Sequence, residues 1–216
     1  MADNWRTDVA RALLEVGAAG FSPDRPITFK SGLVSPVYID NRCLPFYPDQ
    51  WHLVIEAFQM LIQARSIEVD IIAGVAVGGV PHSAALAFAM RKPSVFVRKE
   101  AKAHGTQRLV EGGDVRSKRV LLVEDLVTTG SSSLEAVSRL REAGAAVEDV
   151  LAIVGYGFEE AERAFEAAGV RLVTLTDFDE IARTGLVMGR FTPADLAIIQ
   201  DWLSDPPGWV SRREQL

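Results

Sequence analysis

Apolar positions recur along this chain in two rhythms. At the amino end, Trp5, Val9, Ala12, Leu13 and Val16 fall at helical spacing and predict a helix that starts after Asp3 or Asn4 and stops at Gly17. The stretch from Phe21 to Pro48, rich in proline and β-branched residues, predicts two short antiparallel strands over about 26–30 and 36–41, joined by a turn around Gly32. Next comes an amphipathic helix capped by Asp49, with Trp51, Val54, Ile55, Phe58, Leu61 and Ile62 on one stripe. The rhythm then changes. Apolar runs over 69–73, 94–97, 120–123, 147–154 and 170–175 predict buried strands, and helical stretches separate most of them, among them one ending at Met90, one reaching about Ala143 and one over 158–168. Alternation of this kind predicts an α/β fold: a doubly wound, mainly parallel sheet with right-handed crossovers and its ligand crevice at the carboxyl ends of the strands. The chain closes with an element over 177–184 and a helix opened by Thr192, Pro193 and Asp195, whose buried face is Leu196, Ile199, Trp202 and Leu203.

Candidate chemistry concentrates where the run 120–123 ends. Two acids, Glu124 and Asp125, close the strand, and Leu126, Val127, Thr128, Thr129, Gly130, Ser131 and Ser132 lead into a helix. Free N–H groups and the positive dipole end of a helix attract phosphate, and small residues let the anion reach the backbone. Carboxylates just before such a turn can accept hydrogen bonds from the vicinal hydroxyls of a sugar whose phosphate sits in it. The implied ligand is a ribose 5-phosphate. A second glycine-rich turn, Gly74 to Pro81, matches neither the dinucleotide fingerprint nor the ATP P-loop, yet Gly78 and Gly79 permit amides to converge on an anion such as pyrophosphate. Between 98 and 108, four basic residues, Arg98, Lys99, Lys102 and Arg108, stand against the single acid Glu100, with His104 beside them. With Gly105 and Gly112-Gly113 as hinges, this segment reads as a basic lid beside the phosphate site. His52 reads as a surface or capping histidine and His82 as structural.

Composition narrows the partners. The 216 residues are 48% hydrophobic, enough for one α/β domain with an appended subdomain, and no repeat or linker divides them. A net charge of −6 and a pI near 5.2 argue against nucleic acid or an anionic membrane as partner. A single cysteine, Cys43, excludes an internal disulfide, and the lack of a basic and apolar leader or a long apolar run leads to the expectation of a cytoplasmic protein.

Lys30-Ser-Gly, Ser35-Pro, the run from Arg98 to Gly105 (Arg-Lys-x-x-Lys-x-His-Gly) and Glu124-Asp-Leu-Val-Thr-Thr-Gly130 occur in that order, and in them the chain resembles the orotate phosphoribosyltransferases of the type I phosphoribosyltransferase family along nearly its whole length. The resemblance implies the type I fold as a single domain over 1–216, with a small hood from about 1–48 and about 177–216 over a core of about 49–176. It implies Mg²⁺-dependent transfer of phosphoribosyl from phosphoribosyl pyrophosphate (PRPP) to orotate, giving orotidine 5′-monophosphate and pyrophosphate. It further implies a homodimer whose 98–113 loop reaches the neighbour's site. Glu124 and Asp125 would hold the ribose; Arg98, Lys99, Lys102 and His104 would meet the pyrophosphate, with Lys102 or His104 able to give it a proton. Lys30, Tyr38 and Thr128 would face orotate, and the metal would keep much of its water, with few or no direct protein ligands. Two positions depart from many family members: Val77-Gly78 replaces Tyr-Lys, and Gly155-Tyr-Gly-Phe158 lacks an arginine. Transfer to another base, and a non-catalytic PRPP sensor, are the rival functions.

Overall fold

The protein is described here from a computed structural model covering residues 5–29, 32–100 and 109–213. Among these residues, helix α1 (Trp5–Glu15) leads into strands β1 (Ala19–Phe21), β2 (Ile27–Thr28), β3 (Val34–Ser35) and β4 (Val37–Ile39), and then a 3-10 helix, Asn41–Phe46. The central part runs α2 (Pro48–Ala64), β5 (Ile71–Val75), α3 (Gly79–Met90), β6 (Ser94–Val97), β7 (Val110–Glu111), β8 (Val120–Val127), α4 (Ser131–Glu142), β9 (Asp149–Gly155), α5 (Glu159–Ala167) and β10 (Arg171–Asp177). Three helices follow: α6 (Phe178–Val187), α7 (Pro193–Ser204) and α8 (Trp209–Arg213).

The main sheet has the order β10-β9-β8-β5-β6-β7, and every pairing is parallel except β6 with β7. From β5 the chain moves outward to β6, then returns to place β8 on the other side of β5. The order therefore reverses between β5 and β8, which is where a doubly wound sheet opens its ligand crevice. Side chains of β8 alternate as a two-sided strand requires: Leu121 and Val123 join the core beneath α1, α2 and α6, whereas Val120 and Leu122 join the core beneath α4 and α5.

Four expectations are corrected. The stretch over 36–41 was expected to pair with 26–30, but β2 pairs with β3 and β4 pairs instead with β1. Pro36 separates β3 from β4, so the extended stretch is divided between two ribbons. Strand β8 does not end at Val123; it runs through both acids to Val127, because β9 continues alongside it, Leu126 opposite Val154 and Val127 opposite Gly155. The connection after β6 holds a short antiparallel strand, β7, which makes the sheet mixed. Asp49 is not the cap of α2: Tyr47 occupies that position without a side-chain bond, Pro48 is the first helical residue and Asp49 lies in the first turn. The start of α7 is as its sequence reads, Thr192 and Asp195 forming a reciprocal capping box. The expected caps of α1, Asp3 and Asn4, lie outside the described residues.

Candidate active site

Both glycine-rich turns open at the crevice, and they touch. After β5, the turn carries a cis peptide between Ala76 and Val77 and enters α3 at Gly79. A Cβ at Gly78 would overlap the carboxyl carbon and both oxygens of Asp125, and one at Gly79 would overlap the main-chain oxygen of Val123. The absence of side chains at these two positions lets the turn lie directly against the end of β8.

The two acids differ in setting. Glu124 is 5% exposed; its Oε1 accepts from the main-chain N–H of Asp125 at 3.1 Å, and its Oε2 accepts from the Ser133 hydroxyl at 3.4 Å. Burial first, and then the neighbouring Asp125 carboxyl, push the Glu124 carboxyl up to about 9, against a smaller downward pull from the charge of Lys99. Asp125 is half-exposed toward the crevice, and its main-chain carbonyl accepts from the Asn41 side-chain amide at 2.7 Å.

Beyond the acids, Leu126 to Ser133 and Phe29 enclose a cleft of about 200 Å³. Gly130 caps α4 with φ +81°, a left-handed conformation that costs little only for glycine, and a Cβ there would overlap the ring of Phe165. The turn is thereby held at the amino end of α4, with Ser131 and Ser132 exposed and the hydroxyls of Thr129 and Ser131 3.4 Å apart. A concave loop of small residues at a helix amino end suits phosphate. The acid pair immediately before it suits the sugar bearing that phosphate.

Around this centre, the other sequence-derived candidates fall in different places. Gly78, Gly79, Glu124, Asp125 and the turn from Leu126 to Ser132 come together. Lys99 is exposed, near enough to act on Glu124. Arg98 is half-buried at the base of the basic segment, its guanidinium bound to Glu111 on β7 at 3.0 Å. Thr128 lines the turn cleft and also a neighbouring cavity of about 460 Å³ with Gly155, Gly157 and Phe158. The ring of Tyr38 packs over Gly20 on the β1–β4 ribbon. Lys30, Lys102, His104, Gly105 and Arg108 lie outside the described residues.

Sequence reasoning passed over Asn41, Phe29 and the partner of His82. Asn41 sits in no periodic pattern, and only its place between Asp40 and Arg42, themselves ion-paired at 2.6 Å, hints at a polar cluster. Phe29 was overshadowed by Lys30; its ring meets those of Tyr156 and Trp202 at 5.8 and 6.3 Å. His82 is fully buried and accepts at Nδ1 from the indole N–H of Trp51 at 3.0 Å, so it is structural, as its sequence context suggests. His52 is exposed and lies 3.2 Å from Glu56, one turn on.

The family profile described as phosphoribosyl transferase domain matches residues 49–174. Orotate phosphoribosyltransferase of Bacillus caldolyticus is 40% identical over 204 residues, covering 94% of this chain and 98% of that protein. The crystal structure of orotate phosphoribosyltransferase from Aeropyrum pernix aligns with a TM-score of 0.73 at 32% identity, over 85% of this chain and 99% of that one. Leishmania donovani UMP synthase aligns with a TM-score of 0.80 at 27% identity, over 92% of this chain but 42% of that longer protein.

Proposed function

The chain belongs to the phosphoribosyltransferase family and, within it, to the orotate phosphoribosyltransferases, and from that premise we propose that it transfers the phosphoribosyl group of PRPP to N1 of orotate. The products are orotidine 5′-monophosphate and pyrophosphate, a step of pyrimidine synthesis. One observation carries the reading: the Glu124-Asp125 pair leads without interruption into the phosphate cleft, while the second glycine turn lies against Asp125 from the other side.

The reaction makes a bond from orotate N1 to the ribose anomeric carbon and breaks that carbon's bond to pyrophosphate, which departs with the electron pair. Positive charge builds on the sugar and negative charge on the leaving group. In our reading the cleft from Leu126 to Ser132 holds the 5-phosphate, Glu124 and Asp125 hold the ribose hydroxyls, and the turn at Gly78 and Gly79 receives the pyrophosphate. Lys99, with Arg98, Lys102 and His104, offsets its charge, and Lys102 or His104 delivers a proton to it. Lys30, Tyr38 and Thr128 are assigned to orotate.

No group of three His, Cys, Asp or Glu side chains among the described residues has metal-binding geometry. The acids at the crevice suit a cation that arrives with its own water shell and the substrate's oxygens, and a Mg²⁺ held beside Asp125 would neutralise the pyrophosphate. We assign about 1–48 and about 177–216 to a hood and about 49–176 to the core. In support, Trp202 on α7 donates to the main-chain oxygen of Val34 at 2.9 Å, and Phe21 meets Phe191 edge-on. We also infer a homodimer in which the 98–113 loop reaches the partner's crevice; exposed Phe46, Phe88 and Val77 give the chain apolar surface to cover. Among the described residues no helix is long and apolar enough to cross a membrane, and we assign the protein to the cytoplasm.

The test is direct. Protein, orotate, PRPP and Mg²⁺ are mixed and the orotate absorbance followed; a steady loss is expected. Folded protein that leaves orotate untouched but consumes PRPP with uracil or a purine would instead assign it another base.

A further inference from the structure

Asp125 is constrained by two residues far from it in sequence. Strand β8 runs past its last partner pair with β5, Gly74 and Val123, and so has no β5 neighbour at Asp125. A main-chain carbonyl shielded from water needs a donor, and here the donor is a side chain: Asn41 of the 3-10 helix, fully buried, gives its amide at 2.7 Å. The carboxylate is limited separately. It occupies the space where a side chain at Gly78 would begin.

We propose that Asn41 and Gly78 are positioning residues for Asp125: Asn41 fixes the main chain beneath the carboxylate, and Gly78 leaves the one space in which that carboxylate lies against the pyrophosphate turn. The proposal rests on the reading of Asp125 as a ribose ligand of PRPP and deepens it. Neither residue need touch substrate through its own side chain. A displacement of the carboxylate by the width of a methyl group is enough to lose its hydrogen bonds with the sugar, since hydrogen-bond strength falls steeply away from its optimum length and angle.

Gly78→Ala separates this role from a structural one. Gly78 has φ −61° and ψ −42°, which alanine adopts freely, and the nearest atoms to the new methyl are the end of the flexible Asp125 side chain. At Gly79 the same change would strike the backbone of β8. PRPP affinity in the presence of Mg²⁺ is measured by calorimetry, without base, for the wild type, Gly78→Ala, Asp125→Asn and the double variant. We expect Gly78→Ala to melt within about 2 °C of the wild type and to bind PRPP about tenfold more weakly. If Gly78 acts through Asp125, the double variant binds no more weakly than Asp125→Asn alone. Losses that multiply in the double variant, unchanged PRPP affinity in Gly78→Ala, or a clear fall in its melting temperature each overturn the role of Gly78.

Asn41→Ala is measured in the same way. A folded variant with weakened PRPP affinity, not additive with Asp125→Asn, is the expected result; unchanged affinity, or failure to fold, overturns the role of Asn41. Wild-type protein that binds PRPP but leaves orotate unconsumed strikes only the assignment of the base. Wild-type protein that binds no PRPP overturns both that reading and this one.

Discussion

The indole N–H of Trp51 on α2 donates to Nδ1 of His82 on α3 at 3.0 Å, joining two helices inside the core and fixing the histidine as its Nε2–H tautomer. Nε2 has no hydrogen-bond partner of normal geometry among the described residues, although the main-chain carbonyl of Asn41 lies near enough to favour a proton there weakly. Burial dominates and pushes the imidazole down to about 4 from its ordinary 6.5, against smaller upward pulls from the charge of Asp125 and then from the Asn41 main chain.

A pH dependence of stability follows. The unfolded chain binds the proton more tightly than the folded one, so this contribution is complete above about pH 6.5 and is lost as pH falls toward about 4. Between about pH 6.5 and pH 5 the loss from this group is on the order of 2 kcal/mol. The raised Glu124 carboxyl acts in the opposite direction over the same range, so the effect is read as a difference: from about pH 6.5 to pH 5 the stability to urea of His82→Asn, whose amide oxygen can still accept from Trp51, should change more favourably than that of the wild type by this amount. An equal change in the two proteins would assign the dependence to other groups.

Glu124 has the opposite sign. Its carboxyl is raised, so the stability it contributes is present below its ordinary 4.5 and declines as pH rises toward about 9. Glutamine resembles the protonated form and does not titrate. At about pH 8, unliganded Glu124→Gln should therefore be more stable than the wild type by at least about 1 kcal/mol, while PRPP binds at least about tenfold more weakly. Thermal melting and calorimetry on one sample check both parts. A variant that melts lower at that pH would refute the buried-acid account.

Gly130→Ala should damage both stability and binding. The left-handed backbone alone costs about 1–2 kcal/mol for a non-glycine residue, and the new methyl also meets the Phe165 ring. We expect a lower urea midpoint and a PRPP affinity reduced further than Ser131→Ala reduces it. Equal affinity in the two variants would mean that the turn tolerates reshaping.

The shared loop is tested by mixing two inactive dimers, Lys102→Ala and Asp125→Ala. After random subunit exchange, about half of the dimers are mixed and half of their sites are whole, so roughly a quarter of wild-type activity should return. A loop confined to its own subunit would restore none, given verified exchange.

The local rules were legible in order along the chain. Short stretches rich in apolar residues announced buried strands, and the Thr192-Asp195 box announced a helix start, because both signals are carried by residues close together in sequence. The Glu124-Asp125 pair and the small-residue turn proposed to hold phosphate were legible as a local arrangement for the same reason: groups within one strand, turn and helix start need no distant partner to be recognised. Pairing was less legible. The exchange of partners among β1, β2, β3 and β4 depends on which ribbon each edge finds in space, and the period-2 pattern of a short strand does not record it.

The sequence by itself determined the α/β class and set two acids and a turn of small residues at the carboxyl end of one strand, ahead of a helix. Only the tertiary structure decided that Glu124 is buried while its neighbour Asp125 remains accessible, that Gly78 lies against that carboxylate, and that Asn41 supplies a donor to Asp125 across 84 residues. The physical reason is that propensity and patterning act over a turn or a strand, whereas burial, hydrogen-bond partnership and the space open to a side chain are properties of elements brought together by folding.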